Sequence, residues 1–91
     1  MRKVHTMKLV PPWFEESWIG SKPFELRADD REGGYNVGDI LHMREFRPDS
    51  GLYTGREIIA EVTIAVRDER FLQPGFVALG VRIIEKKGNL R

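Results

Sequence analysis

The segment GSKPFELRADDR, residues 20–31, joins a turn, one short strand and a second turn, and it is dense in charge. Side chains alternate between the two faces of an extended strand, so Glu25 and Arg27 lie together on one face. Phe24 and Leu26 lie together on the other. Side chains two residues apart on one face are about 6.5 Å apart. At that spacing a carboxylate can hold a guanidinium side-on while the outer N–H groups stay free for a ligand.

Two further cations flank this strand. Lys22 lies in the turn before it and Arg31 lies just after it, so both could complete a cationic rim around an anion. Charged residues are also typical of edge strands, where they discourage pairing between the sheets of different molecules. The residues alone leave both interpretations open.

The composition describes one small domain of balanced charge, covering residues 1–91. The net charge is only +1, so any affinity for phosphate has to come from a local group of cations. The absence of cysteine excludes a disulfide framework and a cysteine-based zinc site. Two histidines are too few to define a metal site without carboxylates, and phosphate-loop and serine-hydrolase motifs are absent. We therefore expect no metal and no cofactor.

No segment indicates insertion into a membrane or export. Apolar runs stay well short of the roughly 18–20 residues that a membrane-spanning helix needs. The first ten residues are basic but have neither the apolar stretch nor the cleavage site of a signal peptide. We expect a soluble, cytoplasmic protein without a membrane partner.

Hydrophobic periodicity predicts five strands and one early helix. The predicted strands cover residues 3–10, a stretch from residue 23, and residues 40–46, 57–66 and 76–84, and the predicted helix covers residues 13–19. Trp13, Phe14 and Trp18 have the spacing of a helix face that packs into a core, with base stacking as the alternative. The polar tail, residues 85–91, is expected to fray.

The last two strands have the clearest apolar faces. The predicted core residues are Ile58, Ala60, Val62, Ile64 and Val66 in the fourth strand, and Val77, Leu79, Val81 and Ile83 in the fifth. Gly80 interrupts the opposite face of the fifth strand, which suggests a bulge or a close approach of another backbone.

The order of these elements predicts a mainly β (α+β) fold. Short glycine-containing turns, with no later helix for crossover connections, favour a mostly antiparallel sheet. Closing such a sheet into a barrel removes its exposed edges, and the short aromatic helix can cover an open end. We expect a small barrel with one N-terminal helix at its mouth.

The run GSKPFELR resembles the G-x-K-x-x-E-x-R signature of ASCH domains, members of the PUA-like superfamily. Further short motifs, in order, extend the likeness to small bacterial and phage ASCH-related proteins: HTMK at 5–8, DDR at 29–31, VGDIL at 37–41, REF at 44–46 and YTGR at 53–56. The resemblance implies a five- to six-stranded pseudobarrel with a cleft beside the signature strand that binds RNA or nucleotides.

The same resemblance implies an enzymatic alternative. One ASCH branch is similar to enzymes that deacetylate N4-acetylcytidine with a lysine, a threonine and a glutamate. Lys22 matches that lysine, whereas Glu25 stands at the threonine position. Thr6 and Thr54 are possible replacements for the hydroxyl.

The candidate ligand-contacting residues combine the charged strand with these motifs. For a nucleic acid or nucleotide they are Lys8, Lys22, Glu25, Arg27, Arg31, Arg44, Tyr53, Thr54 and Arg56. Arginines would contact phosphates or base edges, and the tyrosine ring would stack on a base. Other residues have structural and functional interpretations side by side: His5 and His42 as cleft or structural histidines, and Asp29, Asp30 and Glu32 as solvated acids or Mg²⁺ ligands.

Three functions follow. The first is a module that binds RNA or a nucleotide. The second is a nucleoside amidohydrolase in which Lys22 activates a nucleophile or water and Glu25 acts as acid and base. The third is a protein-interaction domain, encoded by a phage, whose exposed edge recruits a host partner.

Overall fold

A computed structural model describes residues 2–88 as a curled, half-barrel sheet with one short helix. The elements are β1 (Val4–Leu9), α1 (Trp13–Trp18), β2 (Phe24–Ala28), β3 (Ile40–Arg47), β4 (Leu52–Val66) and β5 (Phe76–Lys87). The strand order is β1-β3-β4-β5-β2, in which β1 is parallel to β3 and the other neighbours are antiparallel. The predicted mainly β fold with five strands and one early helix is confirmed.

Two strands are longer than predicted. β4 begins at Leu52, inside a stretch expected to be a loop, and β5 continues to Lys87. Residues 89–91, the end of the tail that was expected to fray, lie outside the described residues. No helix within residues 2–88 is long and apolar enough to cross a membrane.

A β-bulge divides the apolar face of β4. Ile58, Ala60 and Val62 are buried as predicted. The pairing with β5 shifts register between Val62 and Ile64, and an extra residue in one strand reverses the alternation of its side chains beyond that point. Ala65 therefore packs against the core, while Ile64 is 55% exposed and leaves the predicted core face.

Gly80 lies directly opposite this bulge. It pairs with Ile64 on one side and with Phe24 on the other. A Cβ at position 80 would lie 2.6 Å from Cγ2 of Ile64. The predicted bulge at this glycine is confirmed, on the paired strand β4, and the nearest group is the Ile64 side chain instead of another backbone.

Helix α1 places one aromatic residue in the core and another in solvent. Phe14, Ser17 and Trp18 share a face because they are three or four residues apart. Phe14 is fully buried, Ser17 is buried and Trp18 packs against the core. Trp13 lies about 100° further round the helix and is 52% exposed, so it is not the core residue that the spacing suggested.

Arginine side chains connect the two edge strands, β1 and β2. Nη2 of Arg27 donates to the carbonyl oxygen of Lys8 at 3.2 Å, and Nη2 of Arg31 donates to that of Thr6 at 3.0 Å. These contacts cross the open side of the half-barrel, the gap between β1 and β2 that we call the seam. Guanidinium groups thus bind main-chain carbonyls of the edge strand β1.

Candidate functional site

A cleft of about 560 Å³ opens at the seam beside the charged strand. This volume lies within the range of roughly 300–1,000 Å³ that is typical of small-molecule sites. The lining residues are Lys8, Leu9, Val10, Trp13, Lys22, Phe24, Glu25, Leu26 and Arg27. The structure therefore brings together four of the nine predicted ligand-contacting residues at one cleft.

Glu25 is the centre of the polar side of this cleft. Its side chain is only 3% exposed and points inward from β2. One carboxylate oxygen, Oε2, accepts a hydrogen bond from Nζ of Lys22, and the other, Oε1, accepts one from Nε of Arg27 at 3.2 Å. The charged face of β2 is therefore its inward face, and the apolar residues on either side of Glu25 point outward.

The Lys22 ammonium has an acceptor for each of its three N–H groups. Besides Glu25, it contacts the carbonyl oxygen of Phe24 at 2.9 Å and the hydroxyl oxygen of Ser17 at 3.5 Å. An ammonium saturated in this way has little capacity left for a ligand. Lys22 thus contributes positive charge to the cleft and holds Glu25 in place.

Arg27 has donors to spare. A guanidinium carries five N–H groups. Within the described chain Arg27 uses one on Glu25 and one on the carbonyl of Lys8, which leaves three free. Its side chain is 25% exposed. The predicted side-on contact with Glu25 is present, made through Nε, and Arg27 is one of the residues that line the cleft.

Three exposed apolar side chains also line the cleft. Trp13, Phe24 and Leu26 are 52%, 44% and 58% exposed. Large aromatic surfaces left in solvent beside a polar group are typical of ligand sites. Sequence reasoning gave Phe24 and Leu26 no role in binding, and it gave base stacking by Trp13 only as the alternative to a place in the core. The available signals were the position of Trp13 off the Phe14–Trp18 face and the alternation of Phe24 with the inward Glu25.

Two of the predicted contacts, the buried Arg56 and the exposed Thr54, bond the buried Glu45 instead. Arg56 is 7% exposed; its Nε and Nη2 atoms donate to the two carboxylate oxygens of Glu45 at 2.8 and 2.9 Å. Nη2 also donates to Glu15 at 2.9 Å, which ties β4 to the helix. The Thr54 hydroxyl donates to Glu45 at 2.7 Å. The Arg56 guanidinium holds the pKa of the Glu45 carboxyl below its ordinary value, and the Glu45 hydrogen bonds raise the pKa of Arg56.

The sequence of the chain matches a protein family and a phage protein. Residues 4–81 match the model of a domain of unknown function, DUF3850. The chain belongs to this family. It is also 36% identical over 63 residues to the "Uncharacterized 12.9 kDa protein in GpA 3'region" of Escherichia phage P2, a match that covers 69% of this chain and 54% of the relative. The chain thus spans about half the length of that phage protein.

All the cleft residues of this DUF3850 domain lie within the matched range. Three predicted contacts lie outside both the cleft and the group of residues bonded to Glu45. Arg31 bonds β1 across the seam, and its guanidinium carbon is 5.9 Å from the Tyr35 ring. Arg44 and Tyr53 lie on the outer face of β3 and β4.

Both histidines of the DUF3850 domain are paired with carboxylates. Nε2 of His5 lies 2.8 Å from Asp39, and both side chains are buried, away from the cleft. Burial on its own raises the pKa of Asp39, but the His5 bond and two backbone N–H groups outweigh it and lower that pKa. Nε2 of His42 lies 2.6 Å from Glu57 on the outer face, and this contact lowers the pKa of Glu57.

In the acidic turn after β2, the Asp29 carboxylate is paired with an arginine. Asp29 binds Nε of Arg67 at 2.6 Å, and this hydrogen bond lowers the pKa of Asp29. Within residues 2–88, no group of three or more histidine, aspartate or glutamate side chains is placed to hold a metal ion.

Proposed function

We propose that this DUF3850 domain binds a nucleotide, or one nucleotide of an RNA segment, in the seam cleft. The observation that carries the proposal is the orientation of Arg27, which Glu25 holds side-on with three N–H groups left over. A guanidinium presented in this way suits the paired oxygens of a phosphate or a base edge.

The surroundings of Arg27 support the same ligand class. Two of the three charged groups that meet at the cleft, those of Lys22 and Arg27, are cations, in a chain whose net charge is only +1. A local excess of positive charge raises the concentration of anions at the cleft. The exposed rings of Trp13 and Phe24 offer faces on which a base could stack.

The likeness of residues 20–27 to the ASCH signature adds to this proposal. The residues of that signature which face the cleft are Lys22, Glu25 and Arg27. We therefore propose that the half-barrel is an ASCH-like member of the PUA-like superfamily, in which this cleft holds RNA or a nucleotide.

Replacing Arg27 by alanine tests the proposal. We expect the variant to bind nucleoside monophosphates and short RNA about 10- to 100-fold more weakly, because hydrogen bonds to charged groups contribute roughly 1.5–3 kcal/mol. The measurement is a fluorescence titration at two salt concentrations, since phosphate contacts weaken as salt rises. A thermal melt checks that the variant is folded.

Arg82→Ala is the matched control. Arg82 is 65% exposed and pairs with Glu61 on the outer face, away from the cleft. We expect its titration curves to overlay those of the wild type. The proposal is wrong if the wild type binds none of the probes, or if Arg27→Ala and Arg82→Ala bind them equally well.

A second candidate function, nucleoside deacetylation, is favoured by the position of Ser17. Its hydroxyl oxygen lies 3.5 Å from Nζ of Lys22, which in turn bonds Glu25. A hydroxyl, a lysine and a carboxylate are thereby adjacent, although the residue at the signature threonine position is Glu25. This function is the second candidate because each N–H group of the Lys22 ammonium already has an acceptor, which leaves little capacity to bind a substrate.

In the proposed hydrolysis, a water molecule held by the Ser17 hydroxyl adds to the acetyl carbonyl of N4-acetylcytidine and the C–N bond breaks, so that acetate and cytidine are released. Glu25 would carry the proton from water to the leaving amine. Incubation with N4-acetylcytidine followed by chromatography decides the matter. Unchanged substrate at high protein concentration excludes the reaction, and turnover that survives in Ser17→Ala excludes the serine.

A further inference from the structure

Cations and aromatic rings are paired on the outer face of β1, β3 and β4. We call Lys8, Arg44, Phe46 and Tyr53 the outer platform. Nζ of Lys8 lies 4.3 Å from the centre of the Phe46 ring, and the guanidinium carbon of Arg44 lies 3.9 Å from the centre of the Tyr53 ring. The two rings are 5.1 Å apart and meet edge to face at 66°.

This combination suits one kind of polymer. Aromatic rings and guanidinium planes both stack on bases, and the neighbouring cations attract the phosphates between them. Tyr53 is 41% exposed and Arg44 is 37% exposed, so both present surface to solvent. The acid next to Arg44 on the same face, Glu57, is already bonded by His42 and lies 3.5 Å from Arg44.

Lys8 connects the outer platform to the cleft. Its backbone carbonyl accepts the Arg27 bond at the seam, while its ammonium lies over Phe46 on the platform. Lys8 is also in register with Arg44 on the neighbouring strand, and paired strands are about 4.8 Å apart. Lys8 thus belongs to both sites, and the rest of the outer platform lies on the neighbouring strands β3 and β4.

We infer that the outer platform binds a single-stranded oligonucleotide, whose chain runs from the nucleotide in the cleft past Lys8 to Tyr53. The inference rests on the proposed function of the cleft. It goes further by naming the ligand class, a nucleic acid strand instead of a free nucleotide. It also assigns Tyr53 and Arg44 a common role that neither has in the cleft.

A length series of RNA tests this inference. Uridine monophosphate and oligouridylates of two, four and eight nucleotides are titrated against the wild type and Tyr53→Ala. We expect affinity to rise with length in the wild type. We expect Tyr53→Ala to weaken binding of the longer RNAs roughly 5- to 150-fold, the effect of losing one base–aromatic stack. Its affinity for the monophosphate should stay that of the wild type.

Phe71→Ala is the matched control for the loss of an exposed ring. Phe71 is 78% exposed, with the guanidinium carbon of Arg70 at 5.5 Å, so it forms the same kind of pair in the loop between β4 and β5. We expect this variant to bind every RNA as the wild type does.

The outcomes separate the platform from the cleft. If the longer RNAs bind no more tightly than the monophosphate and Tyr53→Ala changes nothing, the platform inference is overturned and the cleft proposal stands. If Tyr53→Ala weakens RNA binding but Arg27→Ala does not, the platform binds RNA by itself, and both the cleft proposal and the path of the strand from the cleft are overturned. Equal binding of poly-glutamate, equally weakened in Tyr53→Ala, would overturn the assignment to nucleic acid.

Discussion

Replacing Glu45 by glutamine is expected to lower the free energy of unfolding by about 3–5 kcal/mol, the usual effect of removing one partner of a buried ion pair. The side chains of Glu45 and Arg56 are 7% and 8% exposed, and they meet through two hydrogen bonds. Within residues 2–88, the variant leaves the buried Arg56 guanidinium with only the exposed Glu15 carboxylate as a charged partner. Chemical denaturation measures the change.

The loss is large relative to the whole stability of a domain of this size, which is typically about 5–15 kcal/mol. One reason for expecting so large a loss is that Nη1 of Arg56 is already buried without a hydrogen-bond partner within the described chain. The guanidinium carbon lies 4.9 Å from the Trp18 ring and 5.1 Å from the Phe14 ring. Losing Glu45 therefore removes the main compensation for burying this cation.

The pH dependence of stability should change in the same variant. Because Arg56 lowers the pKa of Glu45 in the folded protein, the unfolded chain takes up the proton first as pH falls. The contribution of Glu45 is thus complete above the pKa of an unfolded glutamate and is lost as pH falls through the folded pKa. Glu45→Gln should flatten this acid limb of the stability curve.

Glu61→Gln is the control for the removal of a paired glutamate. Glu61 bonds Arg2 and Arg82, whose side chains are 60% and 65% exposed. Exposed pairs of this kind contribute about 0–1 kcal/mol. A Glu45→Gln variant that is no less stable than Glu61→Gln would show that the buried pair does not support the fold.

Replacing Glu25 by leucine is expected to lower the free energy of unfolding by about 3 kcal/mol, the lower end of the range for breaking a buried pair. Glu25 is almost fully buried and holds both Lys22 and Arg27, whose side chains are 13% and 25% exposed. The lower end applies because Arg27 can turn toward solvent. The same change should also weaken ligand binding, since Arg27 loses the contact that orients it.

A double-mutant cycle that combines Glu25→Leu with Lys22→Met measures the coupling free energy between Glu25 and Lys22. Replacing both partners of a buried ion pair by apolar residues is often nearly neutral, because no unpaired charge remains. We expect Glu25→Leu/Lys22→Met to be at least 1 kcal/mol more stable than the sum of the two single changes predicts, within the range for coupled residues. Effects that simply add would contradict the proposed role of Lys22 in holding Glu25.

Much of the fold follows from local patterns in the sequence. The alternation of Ile58, Ala60 and Val62 predicted both a strand and its buried face, because side-chain direction in a strand depends only on position along the chain. The same rule placed Glu25 and Arg27 on one side of β2 and predicted their side-on contact. Lys22 reaches Glu25 for a different reason, since it lies in the turn just before β2 and has a long side chain.

Only the tertiary structure decided where an apolar face turns outward and which charged side chains are buried. The bulge that exposes Ile64 arises from pairing with β5, and the burial of Arg56 arises from the packing of α1 over β4. Likewise, the seam brings Trp13 beside Phe24 because β1 and β2 stop short of closing the sheet. Register, helix packing and sheet closure all depend on contacts between residues far apart in the chain, and no short window of sequence contains both partners.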